Sequence, residues 1–119
     1  SNYEIKEMIE NAQKINNMSV IVKTYENKTM NYINKIANKI SERDDMVALF
    51  ALINNDKLNL LFACSKNLEQ LDMNNLLKDS IKLVDGKGGG SKVLAQGGGK
   101  NNGSLDSLFD YVKMKLKSN

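Results

Sequence analysis

The stretch DGKGGGSKVLAQGGGKNN, residues 85–102, contains two runs of three glycines, Gly88–Gly90 and Gly97–Gly99. Glycine loses much conformational entropy on folding and fills no core, so two such runs beside a well-patterned sequence indicate backbone torsions or a ligand approach that a Cβ atom would block. No other part of the chain is typical of a binding site. We therefore interpret the remaining sequence as a scaffold for this glycine segment.

Apolar periodicity outside the segment predicts alternating helices and strands. Helices are predicted over 4–16, 28–41, 73–85 and 105–116, the last two capped by Asp72 and Ser104, and strands over 18–24, 46–53 and 58–64. Residues 92–96 are a candidate for a further strand. The two runs 46–53 and 58–64 favour an antiparallel hairpin, with one helix broken by a turn as the alternative, because Ala and Leu are good helix formers.

This order of elements predicts an α/β fold in which a mixed β-sheet with parallel crossovers is covered by helices. At 119 residues, with 41% hydrophobic and 26% charged residues, the chain is expected to form a single compact domain. We divide it into an N-terminal helix, residues 1–17, which is either a packing helix or the end of a longer upstream helix, and a globular domain, residues 18–119. The start at Ser1-Asn2 without Met is interpreted as a cloning remnant on an excised domain.

The composition excludes several kinds of chemistry. The chain has no histidine, so it has no histidine general base, nucleophile–His dyad or His-containing metal site. The single cysteine, Cys64, lies in an apolar run and is expected to be a buried, inert thiol in a reducing compartment. Neither a signal segment nor an apolar run long enough to cross a bilayer is present, so no membrane association and a cytoplasmic location are expected.

The glycine segment does not match the common phosphate-binding motifs. Gly99-Lys100 is followed by Asn101 where a P-loop needs Ser or Thr, and Ser91 stands where the dinucleotide motif needs its third glycine. Two interpretations remain open. The segment is either a concave anion site of glycine amides surrounded by lysines, or a surface loop with a glycine-requiring turn at each end. Residues 77–119 carry a net charge of +4 and residues 1–76 carry −1, which suits a polyanionic partner or reflects a general abundance of lysine and asparagine.

GKGGG at 86–90, four further residues, and AQGGGK at 95–100 resemble the signature of the DHH-associated domain at the C-terminus of alanyl-tRNA synthetases. The order of elements from Val20 to Leu116 is similar as well. The chain departs from that signature at 91–93, Ser-Lys-Val where the synthetases usually carry Arg-Pro-Asp, and at Asp85, where glycine is frequent. The resemblance extends to the long form of the free-standing alanyl-tRNA editing protein, whereas the related DHH phosphoesterases carry a histidine in the motif that is missing here.

The resemblance implies a non-catalytic module that binds the outer corner of tRNA and can assist dimerisation. Aminoacylation and zinc-dependent editing, with their ATP and zinc, would then belong to upstream regions, and this segment would have no cofactor, metal ligand or catalytic residue. The expected RNA-binding residues are Lys87, Gly88, Gly89, Gly90, Ser91, Lys92, Gln96, Gly97, Gly98, Gly99 and Lys100.

Two other hypotheses belong to different functional classes: an oligomerisation module, in which the first helix pairs with its counterpart to form a homodimer, and a small-nucleotide-binding domain. The glycine segment has no aromatic residue, which favours recognition of duplex shape and phosphates over base stacking.

Overall fold

Six strands and four α-helices alternate along residues 2–119, the part of the chain that a computed structural model describes; Ser1 lies outside it. The strands are β1 (Gln13–Ile15), β2 (Met18–Glu26), β3 (Met46–Asn54), β4 (Lys57–Cys64), β5 (Lys87–Gly90) and β6 (Leu94–Lys100). The helices are α1 (Asn2–Glu10), α2 (Met30–Ser41), α3 (Met73–Ser80) and α4 (Leu105–Lys117), and a 3-10 helix (Ile81–Val84) directly follows α3.

The strands form one mixed sheet in the order β1-β2-β3-β4-β6-β5. Its one parallel pair, β2 with β3, is connected through α2, and β3 and β4 form an antiparallel hairpin closed by Asn55-Asp56. Asn55 adopts the left-handed conformation (φ 58°), which suits a tight hairpin turn. The predicted mixed sheet with a parallel crossover and the predicted hairpin are confirmed.

Each face of the sheet is covered by one apolar layer. On the first face, α3, the 3-10 helix and α4 lie over residues such as Leu60 and Phe62, which have no exposed surface. On the second face, α2 packs on β3 and β4, where Ile33 and Phe50 are fully buried. The helices in the described part of the chain are all too short or too polar to span a bilayer.

The N-terminal helix is shorter than predicted. It ends at Glu10, and residues 13–15 form β1, which pairs antiparallel with β2. Asn16 and Asn17 form the connecting turn with φ values of 49° and 68°, as in the two-residue turns that match strand twist. Helical spacing of apolar residues predicted a continuous helix because Ile15 fits that period, but its side chain is buried as part of a strand.

Two predictions about helix ends need correction. The helix that begins at Met73 ends at Ser80 and tightens into the 3-10 helix, after which Asp85 turns left-handed (φ 53°). Ser104 precedes α4 as predicted, but its side chain makes no capping hydrogen bond. Instead, the Ser104 amide donates to Oδ1 of Asn102 at 3.1 Å.

Helix α1 packs its apolar residues on the domain and is also held by the carboxylate of Glu4. The hydroxyls of Tyr25 and Tyr32 donate to the Glu4 carboxylate at 3.2 and 2.8 Å. The ring of Tyr25 also packs edge-on against the ring of Phe50, with 5.4 Å between the ring centroids. Partial burial opposes ionisation of Glu4, but the two hydroxyl donors and the positive charge of Lys23 outweigh it and hold its pKa below the usual value. The folded protein therefore stabilises the charged form of this carboxylate more than the protonated form.

Replacing the cap of α3 should destabilise the protein more than replacing the residue before α4. The Asp72 carboxylate accepts from the Asn75 amide at 3.0 Å, so Asp72→Ala should lower the free energy of unfolding by about 1 kcal/mol. Ser104→Ala should change it by less than about 0.5 kcal/mol, because no capping bond is lost. Urea denaturation of both variants would measure this, and equal losses would contradict the assignment.

The attachment of α1 should depend on pH. Because the pKa of Glu4 is lower in the folded protein than in the unfolded chain, its contribution is fully present above the unfolded value of about 4.3 and is lost as pH falls through the folded value. The stability difference between wild type and Glu4→Gln should therefore shrink between pH 7 and pH 3. Urea denaturation across that range measures the difference, and amide exchange in α1 localises it. A difference independent of pH would contradict the role of the carboxylate.

Candidate nucleic-acid interface

The two glycine runs form a narrow β-hairpin. Strands β5 and β6 pair antiparallel, with Gly88 opposite Gly97 and Gly90 opposite Ala95, and the turn contains Lys92 and Val93. Only β5 is at the edge of the sheet, so the amides of Gly88–Gly90 alternate between the ladder and solvent, whereas Gly97–Gly99 lie between β4 and β5. The two glycine runs therefore do not form one concave loop of free amides. The predicted glycine loop is wrong in its backbone form, whereas RNA binding by these residues stays a prediction.

Close contact, and not left-handed torsion, explains most of these glycines. A Cβ atom on Gly97 would lie 2.5 Å from the Lys87 carbonyl oxygen and 2.8 Å from the Gly88 Cα. A Cβ atom on Gly99 would lie 2.7 Å from the side chain of Val84, in the 3-10 helix. Gly86, Gly88 and Gly90 are equally confined by neighbouring backbone. These residues let β5 approach β6 and let the 3-10 helix lie on the hairpin.

The hairpin turn is bound to the N-terminus of α3. The amides of Met73 and Asn74 donate to the carbonyls of Lys92 and Ser91 at 2.9 and 3.1 Å, and the Asn74 side chain accepts from the Gly90 amide at 2.9 Å. The first amides of α3 are thus already paired with backbone carbonyls. This helix end holds the turn in place through these hydrogen bonds. Its first amides are therefore not available to bind a phosphate group.

Two predicted ligand-binding side chains are also engaged within the turn. The Ser91 hydroxyl accepts from the amides of Val93 and Leu94 at 3.3 and 3.2 Å. The Lys92 ammonium donates to the Glu69 carbonyl at 3.0 Å, although the side chain remains exposed. Ser91 therefore has a turn-forming role, while Lys92 keeps its charge at the surface.

Gly98 differs from its neighbours. The nearest atoms to a Cβ placed there are Oδ1 of Asn59 at 3.4 Å and the Leu58 carbonyl at 3.8 Å, which are ordinary contact distances. Gly98 is also exposed, and it is not among the residues with a left-handed φ. Neither packing nor backbone conformation requires a glycine at this position.

Polar and basic residues surround Gly98 in the strand register, and Leu94 of the same strand packs in the layer that contains α2. In the strand register, Gly98 lies between Asn59 of β4 and Lys87 of β5, and Lys57 lies beside Lys100 one row away. Helix α2 packs on β3 and β4, and the outer part of this face is exposed. We call this surface the Gly98 face; it consists of Lys57, Asn59, Lys87, Gln96, Gly98 and Lys100.

The structure brings together only part of the predicted site. Lys87, Gln96, Gly98 and Lys100 share the Gly98 face, whereas Ser91 and Lys92 lie at the turn and most other glycines are in backbone contact. Sequence reasoning missed Lys57 and Asn59, which β4 contributes. The polar Asn59 inside the apolar run LNLLFAC was a signal that one side of this strand is open to solvent.

Cys64 is buried on the opposite face, as predicted. Burial raises the pKa of its thiol to about 11, with the Asp72 charge acting in the same direction and Lys92 against it. A thiol with this pKa is a poor nucleophile at neutral pH. Among residues 2–119, no group of three or more His, Cys, Asp or Glu side chains is arranged to hold a metal ion.

Residues 17–118 match the DHHA1 domain family. The chain is 35% identical to the alanine–tRNA ligase of Methylacidiphilum infernorum over 86% of its own length and 11% of the ligase. It is 30% identical to the alanine–tRNA ligase of Caldicellulosiruptor saccharolyticus over 97% of its length and 13% of the ligase. The chain thus spans only a small part of the curated relatives that it matches.

Solved structures show the same fold. The C-Ala domain of Aquifex aeolicus alanyl-tRNA synthetase superimposes with a TM-score of 0.84 at 21% identity, covering 90% of this chain and 98% of that domain. Thermus thermophilus RecJ in complex with Mg²⁺ gives a TM-score of 0.69 at 14% identity, covering 99% of this chain and 17% of RecJ.

Substitution by alanine should change the stability of the protein differently at Gly97 and at Gly98, two neighbouring residues of β6. Gly97→Ala forces a Cβ against backbone and should lower the free energy of unfolding by about 1–3 kcal/mol. Gly98→Ala has room for the methyl group and should leave stability unchanged or raise it by up to about 1 kcal/mol, because alanine loses less entropy on folding. Thermal and urea denaturation would test the pair; equal destabilisation would mean that Gly98 also has a packing role.

Proposed function

Because this chain belongs to the DHHA1 domain family, we propose that it is the C-terminal domain of an alanyl-tRNA synthetase, that it binds tRNA, and that it helps to position the tRNA for aminoacylation or editing. The relatives that support this proposal are alanine–tRNA ligases, which this chain matches along most of its length. Catalysis, with ATP and zinc, would belong to other parts of the parent protein.

The Gly98 face is the observation that carries the tRNA proposal. Lys57, Lys87 and Lys100 place three positive charges on adjacent strands, and the sheet around them is exposed. Lysine side chains on such a surface bind phosphate groups as mobile point charges and displace the counterions of the nucleic acid. Asn59 and Gln96 add amide groups that donate and accept hydrogen bonds.

The structure supports tRNA binding more directly than it supports pairing of chains through α1. The apolar residues Ile5, Met8 and Ile9 pack against the layer between α2 and the sheet of their own chain. Only Tyr3, 75% exposed, presents a large apolar surface on this helix. A homodimer formed through α1 would have to use a helix whose apolar side is already occupied.

Binding of tRNA should weaken steeply as salt concentration rises. Counterion release makes the logarithm of the association constant fall linearly with the logarithm of salt concentration, and Lys100→Ala should reduce that slope by about 1. Lys14→Ala is the matched control, because Lys14 is an exposed lysine on β1 at the other edge of the sheet. Fluorescence anisotropy with labelled tRNA between 25 and ~300 mM salt measures both slopes.

No detectable binding at low salt, or an affinity indifferent to salt, would overturn the proposed function. An equal loss of slope in Lys14→Ala and Lys100→Ala would show that charge acts from the whole surface and not from the Gly98 face.

A further inference from the structure

We infer that the Gly98 face receives the sugar–phosphate backbone of double-helical RNA, and that the missing side chain at Gly98 allows this backbone to lie directly on the sheet. The inference rests on the proposed function, since it specifies which part of an RNA this domain contacts and which residues make the contact.

The argument begins with the glycine that the fold does not need. Glycine is unfavourable inside a strand because it adds entropy to the unfolded chain and offers no side chain to pack. The six other glycines between 86 and 99 each have an atom within 3.0 Å of a Cβ position, whereas Gly98 has none closer than 3.4 Å. An exposed strand glycine with no packing reason points to the close approach of a ligand from solvent.

The charges around Gly98 identify that ligand as a polyanion. Lys87 is directly opposite Gly98 in the ladder, and Lys57 and Lys100 form a cross-strand pair in the next row. With strands about 4.8 Å apart and alternate residues of one strand about 7 Å apart, the three lysine positions lie within roughly 10 Å of Gly98. Two lysines placed directly opposite each other are unfavourable in a free protein, and a bound phosphate group would relieve their repulsion.

The side chains that are absent from this face distinguish duplex from single-stranded RNA. Single-strand binders stack bases on exposed aromatic rings. None of the aromatic residues of the chain belongs to the Gly98 face; they are Tyr3, Tyr25, Tyr32, Phe50, Phe62, Phe109 and Tyr111. Duplex RNA is recognised through its shape, its phosphates and its 2′-hydroxyls, for which lysines and the amides of Asn59 and Gln96 are suitable partners.

An acidic residue, Asp85, lies at the rim of the surface beside Gly98. Asp85 borders the same shallow depression as Lys57, Gly98 and Lys100. It occupies a left-handed position after the 3-10 helix, a conformation that asparagine also tolerates. Asp85→Asn would thus remove a negative charge beside the lysines without changing the backbone.

The test compares three variants with wild type on three probes: tRNA transcript, a 16-base-pair RNA duplex and a 16-nucleotide single strand of the same sequence. Gly98→Val should bind tRNA and duplex at least fivefold more weakly without a lower melting temperature, because valine favours strands but blocks the approach. Gly98→Ala should show a smaller loss of affinity in the same direction, and Asp85→Asn should bind more tightly. Wild type should bind the single strand at least tenfold more weakly than the duplex.

Each contrary result has a distinct meaning. If wild type binds tRNA but Gly98→Val and Gly98→Ala bind it equally well, or if the single strand binds as well as the duplex, this inference is wrong and the proposed function stands. If wild type binds neither tRNA nor duplex at low salt, the proposed function fails and the inference fails with it.

Discussion

The close approach of β5 to β6 is the constraint on which this half of the structure depends. Gly88 and Gly97 face each other at a distance that excludes a Cβ on either residue. Because the hairpin is free of side chains there, Ile81 and Val84 of the 3-10 helix pack directly on its backbone. The 3-10 helix in turn contacts both α3 and α4. Two runs of glycine thus determine where three helical segments lie, although glycine itself contributes no apolar surface.

The fold was predictable where apolar side chains determine it. The buried runs of β2, β3 and β4 and the amphipathic α2 follow the sequence patterns closely, since each buries its apolar residues in one of the two layers. Prediction failed at β1, because Ile15 satisfies a helical period and a strand of three residues has too few positions to show alternation. Asn16-Asn17 carried the missing information, since asparagine tolerates the left-handed conformation.

The sequence indicated which segment carries the candidate site, but it did not show which residues share one surface of the fold. Glycine is depleted in strands, so local sequence could not show that 87–90 and 97–99 would pair as strands. The Gly98 face also depends on register: Lys57 and Asn59 join it only because β4 lies beside β6 with Asn59 opposite Gly98. Such an adjacency between strands about 40 residues apart in sequence arises from the assembled sheet, and no local pattern reports it.

The two edge strands of the sheet are short. Its long apolar strands, β3 and β4, lie in the interior of the strand order, while the outermost positions are taken by β1, with three residues, and β5, with four. On the β5 side, the Gly90 amide at the end of the strand donates to the Asn74 side chain, and the Lys87 side chain is exposed at its start. Short edge strands with exposed lysines offer few unpaired backbone groups to an incoming strand, so neither edge of this sheet favours pairing with the sheet of another molecule.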